Sequence, residues 1–383
     1  MSKEIQFTRY LYEKSEVKLA LTLCILNKKD EAVFWAYELY YSGFKTELTE
    51  LFWTIYYDFY YTLNPSFEKY LTTKLKNNLD FDANCENLLA MIVNNFMIRP
   101  HSTDIFMLKQ IVRVCDFDKN DSIDYTNLNN IKTELAGILK TRDYYMLASF
   151  VLTDVKNAHL IDVFEGAIDC FSELGIKIDK KKTINEYKKI KHVCKRVLLL
   201  SRIIHYYVVL NSKKLGKNIY VHVEPEDVIL YETITVNLDD TKIPAYKILP
   251  LAKLYYIDSY NYLSLFDLKR ENSDIKKAYY YDWLYHASFS PLWKARILKH
   301  NGRIDEKIKK IIFEEDEDSD DNEQSFYNEF GYEPDEHKIE TQNKTIQEIK
   351  KDKTWLSFYN EHKNNGIIEI DVDILNDIHK INY

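Results

Sequence analysis

Glycine and proline are scarce: 8 Gly and 7 Pro stand among 383 residues, about a third of the roughly 12% that globular chains carry. That shortage excludes a collagen-like or Gly/Pro-rich disordered chain. It also argues against an all-β protein, which needs turn residues at short intervals. Nor do the glycines cluster, so there is no GxxxxGK[ST] and no GxGxxG loop to cradle a phosphate. HExxH and G-x-S-x-G are missing as well. Pairs such as His205 with Glu224 or His286 with Asp282 have no spacing that favours acid/base work, and they read as local hydrogen bonds. The expectation is a protein that is not an enzyme, with no cofactor, bound metal or small-molecule substrate.

Other shortages narrow the class further. Five cysteines (Cys24, Cys85, Cys115, Cys170 and Cys194) are odd in number and far apart, without a CxxC pair. A disulfide framework or structural zinc is not expected from them. They read as small buried hydrophobes in a reducing compartment. The most apolar stretch, VLLLSRIIHYYVVL, covers 14 residues from Val197 to Leu210 and is interrupted by Arg202 and His205. A membrane span needs about 20. The opening MSKEIQFTRY has no signal-peptide apolar core. The expectation is a soluble, intracellular protein with no membrane partner. Positive charge is in deficit, with 52 Lys and Arg against 60 Asp and Glu for a net −8. The molecule as a whole is not patterned as a nucleic-acid binder.

What is abundant is apolar and aromatic: 46% hydrophobic residues, with 31 Tyr, 19 Phe and 5 Trp. This is enough for a sizeable core, and the length suggests two or three domains or one extended array. Apolar residues recur at helical spacing over 8–26, where Val17, Ala20, Leu21, Cys24 and Ile25 share a face. Further helices are expected at 30–41, with Asp30 as N-cap and Ser42-Gly43 as the stop, and at 46–63. Others follow at 84–98, 103–115, 126–140, 143–156 and 159–174. Helix after helix on short loops predicts a mainly α fold, a HEAT-like array of helical hairpins. Residues 218–223 and 228–236 alternate at period two and predict a small β hairpin. Helices resume at 251–266 and 274–300. Residues 314–323, EEDEDSDDNE, carry eight acids and predict a solvated, disordered segment around a phosphorylatable Ser319. One more helix is expected around Trp355. The segments so read are a helical array (1–176), a basic helix with the small β hairpin (177–250), a helical region (251–312), an acidic linker (313–340) and a C-terminal helical tail (341–383).

Residues 177–217 hold 13 Lys and Arg against two acids, Asp179 and Glu186. Lys181, Lys182, Lys188, Lys191, Lys195 and Arg196 are candidate RNA contacts, with Tyr187, His192, Tyr206 and Tyr207 interleaved as stacking platforms. Lys188, Lys191 and Lys195 fall on one face of a continuous helix, with Ile184, Ile190, Val193 and Val197 toward a core. The alternative is a solvated face that pairs with the acidic segment.

Two further motifs carry chemistry. Asp116–Asn127 has the spacing of an EF-hand loop, with Asp116, Asp118, Asn120, Ser122 and Asp124 at ligand positions. Asp121 replaces its glycine and Asn127 its bidentate glutamate, so the stronger reading is a polar inter-helix turn. Tyr260, Leu265 and Phe266 match Y-x-x-x-x-L-Φ, an amphipathic turn that fills a groove. Scaffold and inhibitor proteins hold the eukaryotic cap-binding translation factor through this motif. The alternative is three core positions of an ordinary helix.

The blocks DEAVFWAYELYYSGFKTELTELFWTIYYDFYYTLNPSFEKYL (30–71) and YYYDWLYHASFSPLWKARI (279–297), with FYNEFGYEP after them, carry a Lys/Asn/Ile/Tyr/Phe bias suited to an AT-rich genome. Together they resemble a family of proteins encoded by mimivirus-like giant DNA viruses, over most of the chain. The resemblance implies a viral protein of the host cytoplasm, in the viral factory or cytosol. It further implies a counterpart of the scaffold subunit of the cap-binding initiation complex, with a cap-binding protein, a helicase and RNA as partners. The first block also resembles the helical collar of clamp loaders at Asp30, Ala32, Phe34 and Trp35, without the ATPase half. This implies the alternative of an oligomerising replication or virion-assembly component. A third reading is an enzyme without recognisable short motifs. The scaffold reading predicts that Tyr260→Ala with Leu265→Ala abolishes capture of a cap-binding protein in a pull-down while circular dichroism stays unchanged. Unfolding of the double variant would mark the motif as core.

Overall fold

The computed structural model describes residues 5–75, 85–115, 127–191, 194–223, 277–278, 281–314, 321–330 and 355–382. Several sequence expectations lie outside these: the EF-hand-like residues 116–126, the second expected strand 228–236, the helix at 251–266 with Tyr260, Leu265 and Phe266, and the acidic residues 315–320.

The described residues are mainly α, with sixteen α-helices and a single two-stranded sheet. In chain order the first are α1 (Lys14–Leu26), α2 (Glu31–Tyr41), α3 (Lys45–Ile55), α4 (Phe67–Lys74), α5 (Cys85–Met97) and α6 (Asp104–Val114). Next come α7 (Leu128–Thr141), α8 (Tyr144–Ser149), α9 (Leu160–Glu173), α10 (Lys180–Lys189) and α11 (Lys195–Leu210). The remainder is α12 (Trp283–Ala287), α13 (Pro291–Lys299), β1 (Gly302–Asp305), β2 (Lys310–Phe313), α14 (Asn322–Phe330), α15 (Trp355–His362) and α16 (Val372–Asn382). Wider π turns, Tyr56–Tyr60 and Phe150–Asp154, continue α3 and α8.

Caps explain many of the starts. Asp143, Asp179 and Ser290 each accept a bond from a first-turn backbone N–H, satisfying donors that a helix leaves unpaired. Asp30 does not act this way, because its own backbone is already helical at φ −60°, ψ −27° and its side chain makes no cap bond.

The chain forms two compact units, each drawn from interleaved pieces rather than from the consecutive segments read along the sequence. One comprises residues 1–49, 75–98 and 220–354, the other 50–74, 99–219 and 355–383.

In the first unit α1 packs on α2 and α2 on α5. Ala32, Phe34 and Trp35 of the collar-like block are core residues. A segment ahead of α1 threads through this core. Trp293 Nε1 donates to the Thr8 carbonyl at 3.1 Å, and His286 Nδ1 lies 3.1 Å from the Ile5 carbonyl. His286 is thus a buried packing residue and not an acid/base partner of Asp282. Arg9 Nε donates to Glu38 at 3.0 Å, and Tyr10 N donates to the same carboxylate at 2.9 Å. The Arg9 guanidinium lies 4.3 Å from the Tyr10 ring centre and 4.6 Å from that of Tyr41. Burial pushes the Glu38 carboxyl up from its usual range, against the lowering effect of Arg9. After α2 the chain turns at Gly43, φ +90°, where an added Cβ would come within 2.6 Å of Pro291. Glycine alone suits both the angle and the approach.

The segment 251–312 is expected to be a helical region, with its last helix ending at 300, but beyond that helix the structure has an antiparallel hairpin, with Gly302 opposite Phe313. Helix α13 stops at Lys299, and Asn301 takes φ +55°, which no helix continues. Asp305 Oδ1 then accepts from Lys307 N and closes the turn. Likewise Asn322–Phe330, read as part of an acidic linker, is helical because Phe326 and Phe330, one turn apart, are buried. Among the described residues, 218–223 pair with no strand, their expected partner 228–236 lying outside these residues; Asn95 bonds both the N–H and the carbonyl of Val221.

In the second unit α7 packs on α9, α9 on α11, α6 on the Tyr56–Tyr60 turn and α16 on α6. Helix α9 shows why: Leu160, Val163, Phe164, Ala167, Ile168 and Phe171 are buried at three- and four-residue spacing. Arg9→Ala would leave the Glu38 carboxylate buried without its cation. It should cost the first unit about 3–5 kcal/mol in chemical denaturation, and adding Glu38→Gln should recover part of that loss.

Candidate nucleic-acid interface

The basic stretch is two helices, not one. Asp179 accepts from Lys182 N and starts α10. Ile190 is extended, at φ −73° and ψ 118°, and ends it. Lys191 and Lys195 therefore do not continue the face that carries Lys188. The apolar side is as expected for Ile184 and Ile190, which are buried; Val197 is half-buried and Val193 is outside the described residues.

Lys181, Lys182, Lys188 and Lys191 are exposed, as is Lys189. Lys180 pairs with Asp169 at 2.8 Å. Among the described residues no carboxylate lies within ion-pair distance of the five exposed lysines, so their charge faces solvent.

Lys195 and Arg196 are committed elsewhere. Lys195 Nζ donates to the Tyr187 carbonyl and lies 4.7 Å from the centre of that ring. Burial, then Arg202 and Lys191, lower its pKa. Arg196 Nη1 donates to the Val151 carbonyl at 2.9 Å, and Nε to Asn157 at 3.2 Å. Both fasten α11 to its surroundings. Three of the expected stacking platforms are also core: Tyr187 is 2% exposed, Tyr206 9% and Tyr207 1%, while His192 lies outside the described residues. Their hydroxyls explain the placement, since Tyr187 donates to the Lys195 carbonyl and Tyr207 to that of Leu139. A buried tyrosine needs such a partner.

Arg202 is the charge that interrupts the apolar run. It is 4% exposed, and Nη2 meets Glu68 at 3.0 Å. Tyr57 donates its hydroxyl to the same carboxylate at 2.6 Å. His205 bonds the Thr62 carbonyl at 2.8 Å through Nδ1, and burial lowers its pKa. Glu68 thus joins α4 to α11 and to the turn at Tyr57; Glu224, the residue paired with His205 in the sequence, lies outside the described residues. Among the described residues no three His, Cys, Asp or Glu side chains are arranged to hold a metal ion. Asn127, the last EF-hand-like position, caps α7 by accepting from Asn129 N at 2.9 Å. No helix of the described residues is long and apolar enough to cross a membrane.

No protein-family model, curated protein or solved structure matches the chain. The functional reading rests on the residues themselves.

One polar site had no signal in the sequence beyond a Ser-Thr-Asp run at a helix start. Asp104, the first residue of α6, is 3% exposed. It accepts from Ile367 N at 3.1 Å and Ile368 N at 3.3 Å, holding the chain between α15 and α16. A Cβ on Gly366 would fall inside that carboxylate. Burial pushes the Asp104 pKa up to about 6 from 3.8, against the lowering effect of those N–H bonds. A carboxyl raised in the folded state binds its proton more tightly there than in the unfolded chain. Its contribution to stability is thus greatest below about pH 4, falls as pH rises toward 6, and is level above. Urea denaturation should show the second unit losing roughly 3 kcal/mol across that window, and Asp104→Asn should flatten this dependence.

Proposed function

We propose that the chain is a non-enzymatic helical scaffold that binds RNA through the exposed lysine face of α10. The observation that carries this reading is the division of that helix. Ile184 and Tyr187 are buried, while Lys181, Lys182, Lys188 and Lys189 are exposed, with Lys191 just beyond. A helix anchored by one face and presenting ammonium groups to solvent on the other suits a phosphate backbone. With the neighbouring tyrosines in the core, recognition is electrostatic and tolerant of sequence, unlike a base-stacking groove.

The finer form of the proposal is a translation-initiation scaffold in the cytoplasm of a host infected by a giant virus. It would hold a cap-binding protein through Tyr260, Leu265 and Phe266, with a helicase as further partner. That form is supported by the motif and by the resemblance of the blocks at 30–71 and 279–297.

Affinity for single-stranded RNA, measured over a salt series, tests the RNA contact. Binding should weaken steeply with salt. Replacing Lys181, Lys182 and Lys188 with Glu should shallow the log–log slope by about 2, at roughly 0.7 for each phosphate no longer neutralised, with the melting temperature unchanged. An unaltered slope, or no RNA binding by the parent chain, refutes the proposal.

A further inference from the structure

Within the second unit, the ends of α8 and α11 and the chain from α15 into α16 surround a cavity of about 740 Å³. That lies in the range of small-molecule sites, about 300–1,000 Å³. Its lining joins Lys213 and Lys363 with the amides of Asn360 and Asn376 and the side chains of Tyr144 and Tyr359. Glu369 is the single carboxylate among the lining residues. Asp104 lies behind the wall with its oxygens turned to backbone N–H groups.

The wall is held at four successive residues. Asp104 takes the N–H groups of Ile367 and Ile368, Tyr145 donates its hydroxyl to the Glu369 carbonyl at 2.9 Å, and Ile370 N donates to the Tyr359 hydroxyl at 3.3 Å. A lining fixed by its own backbone is preorganised for a ligand. Two of the lining polar groups also bond within the protein, and Lys213 keeps further donors for a ligand. Asn211 donates to the Tyr207 carbonyl at 2.9 Å, and Lys213 Nζ to the Asn364 carbonyl at 3.4 Å.

These groups select a ligand class. An apolar ligand would strip water from two ammonium groups and several amides without replacing their bonds. A bare phosphate would meet the lysines but leave most of the volume and every amide to water. A ligand that joins a phosphate to a flat, hydrogen-bonding ring would use all of them. Lysines take the anion, asparagines offer both donor and acceptor to a ring edge, and tyrosines offer rings and hydroxyls.

We infer that this cavity binds a nucleoside 5′-monophosphate, free or as the terminal nucleotide of an RNA chain. The site is separate from the lysine face of α10 and stands whether or not that face binds RNA.

Calorimetric titration of the full chain with adenosine 5′-monophosphate tests it, with adenosine and inorganic phosphate as comparison probes. The nucleotide should bind saturably, and each fragment about tenfold or more weaker, since each gives up charged or paired hydrogen bonds. Lys213→Ala with Lys363→Ala, both at exposed side chains, should weaken the nucleotide by tenfold or more with circular dichroism unchanged. The Lys181, Lys182 and Lys188 charge reversals should leave nucleotide binding intact, which separates this site from the RNA-binding face. No saturable heat at millimolar nucleotide, or equal affinity in the double variant, overturns the inference. Competition by a short 5′-phosphorylated RNA would assign the terminal nucleotide. Its failure beside saturable nucleotide binding would assign the free one. Both results uphold the site.

Discussion

A buried arginine paired with a carboxylate from another part of the chain is the constraint on which each unit is built. Neither charge tolerates an apolar interior alone. Glu38 of α2 is met by Arg9 and by the Tyr10 N–H, and this ties the segment before α1 into the core. In the second unit Glu68 is met by Arg202 and the Tyr57 hydroxyl, tying α4 to α11 and to the π turn after α3. Both pairs fix which helix faces meet, a decision that interchangeable apolar contacts leave open.

The tyrosines extend the same logic. Every helix ends with backbone carbonyls that no intrahelical N–H reaches. The buried hydroxyls use those places: Tyr56 donates to the Asn64 carbonyl where α3 has ended, and Tyr207 to the Leu139 carbonyl near the end of α7. Tyrosine supplies aromatic bulk and closes a helix end with one side chain. Aromatic richness near the basic stretch is thus a property of the core, and its use for stacking bases is withdrawn by burial.

What remains exposed is correspondingly simple. Lysines on α10 face water, while Lys195 and Arg196, their neighbours in sequence, hold α11 in place. Residues of the same charge within one stretch divide into surface and structural roles according to where α10 stops. The asparagine- and lysine-lined cavity arises differently, because the chain after α15 is pinned by Asp104, Tyr145 and Tyr359.

The α-helical character was legible because it is a local matter of period and propensity. The face of α9 and the stop after α2 at Ser42-Gly43 can each be read from neighbouring residues. The exposure of Lys181, Lys182 and Lys188 follows from the same periodicity. The break at Ile190 was not legible, since nothing local forbids helix there. Nor was the hairpin at 302–313, whose isoleucines fit either period until Asn301 turns the chain. The sequence by itself determined the mainly α-helical character and the absence of glycine-built phosphate loops. Only the tertiary structure decided that Lys195, Arg196, Tyr187, Tyr206 and Tyr207 are structural and that Asp104 meets Ile367 across 263 positions. Such meetings depend on desolvation and on partners far along the chain, and neither is written in a local pattern.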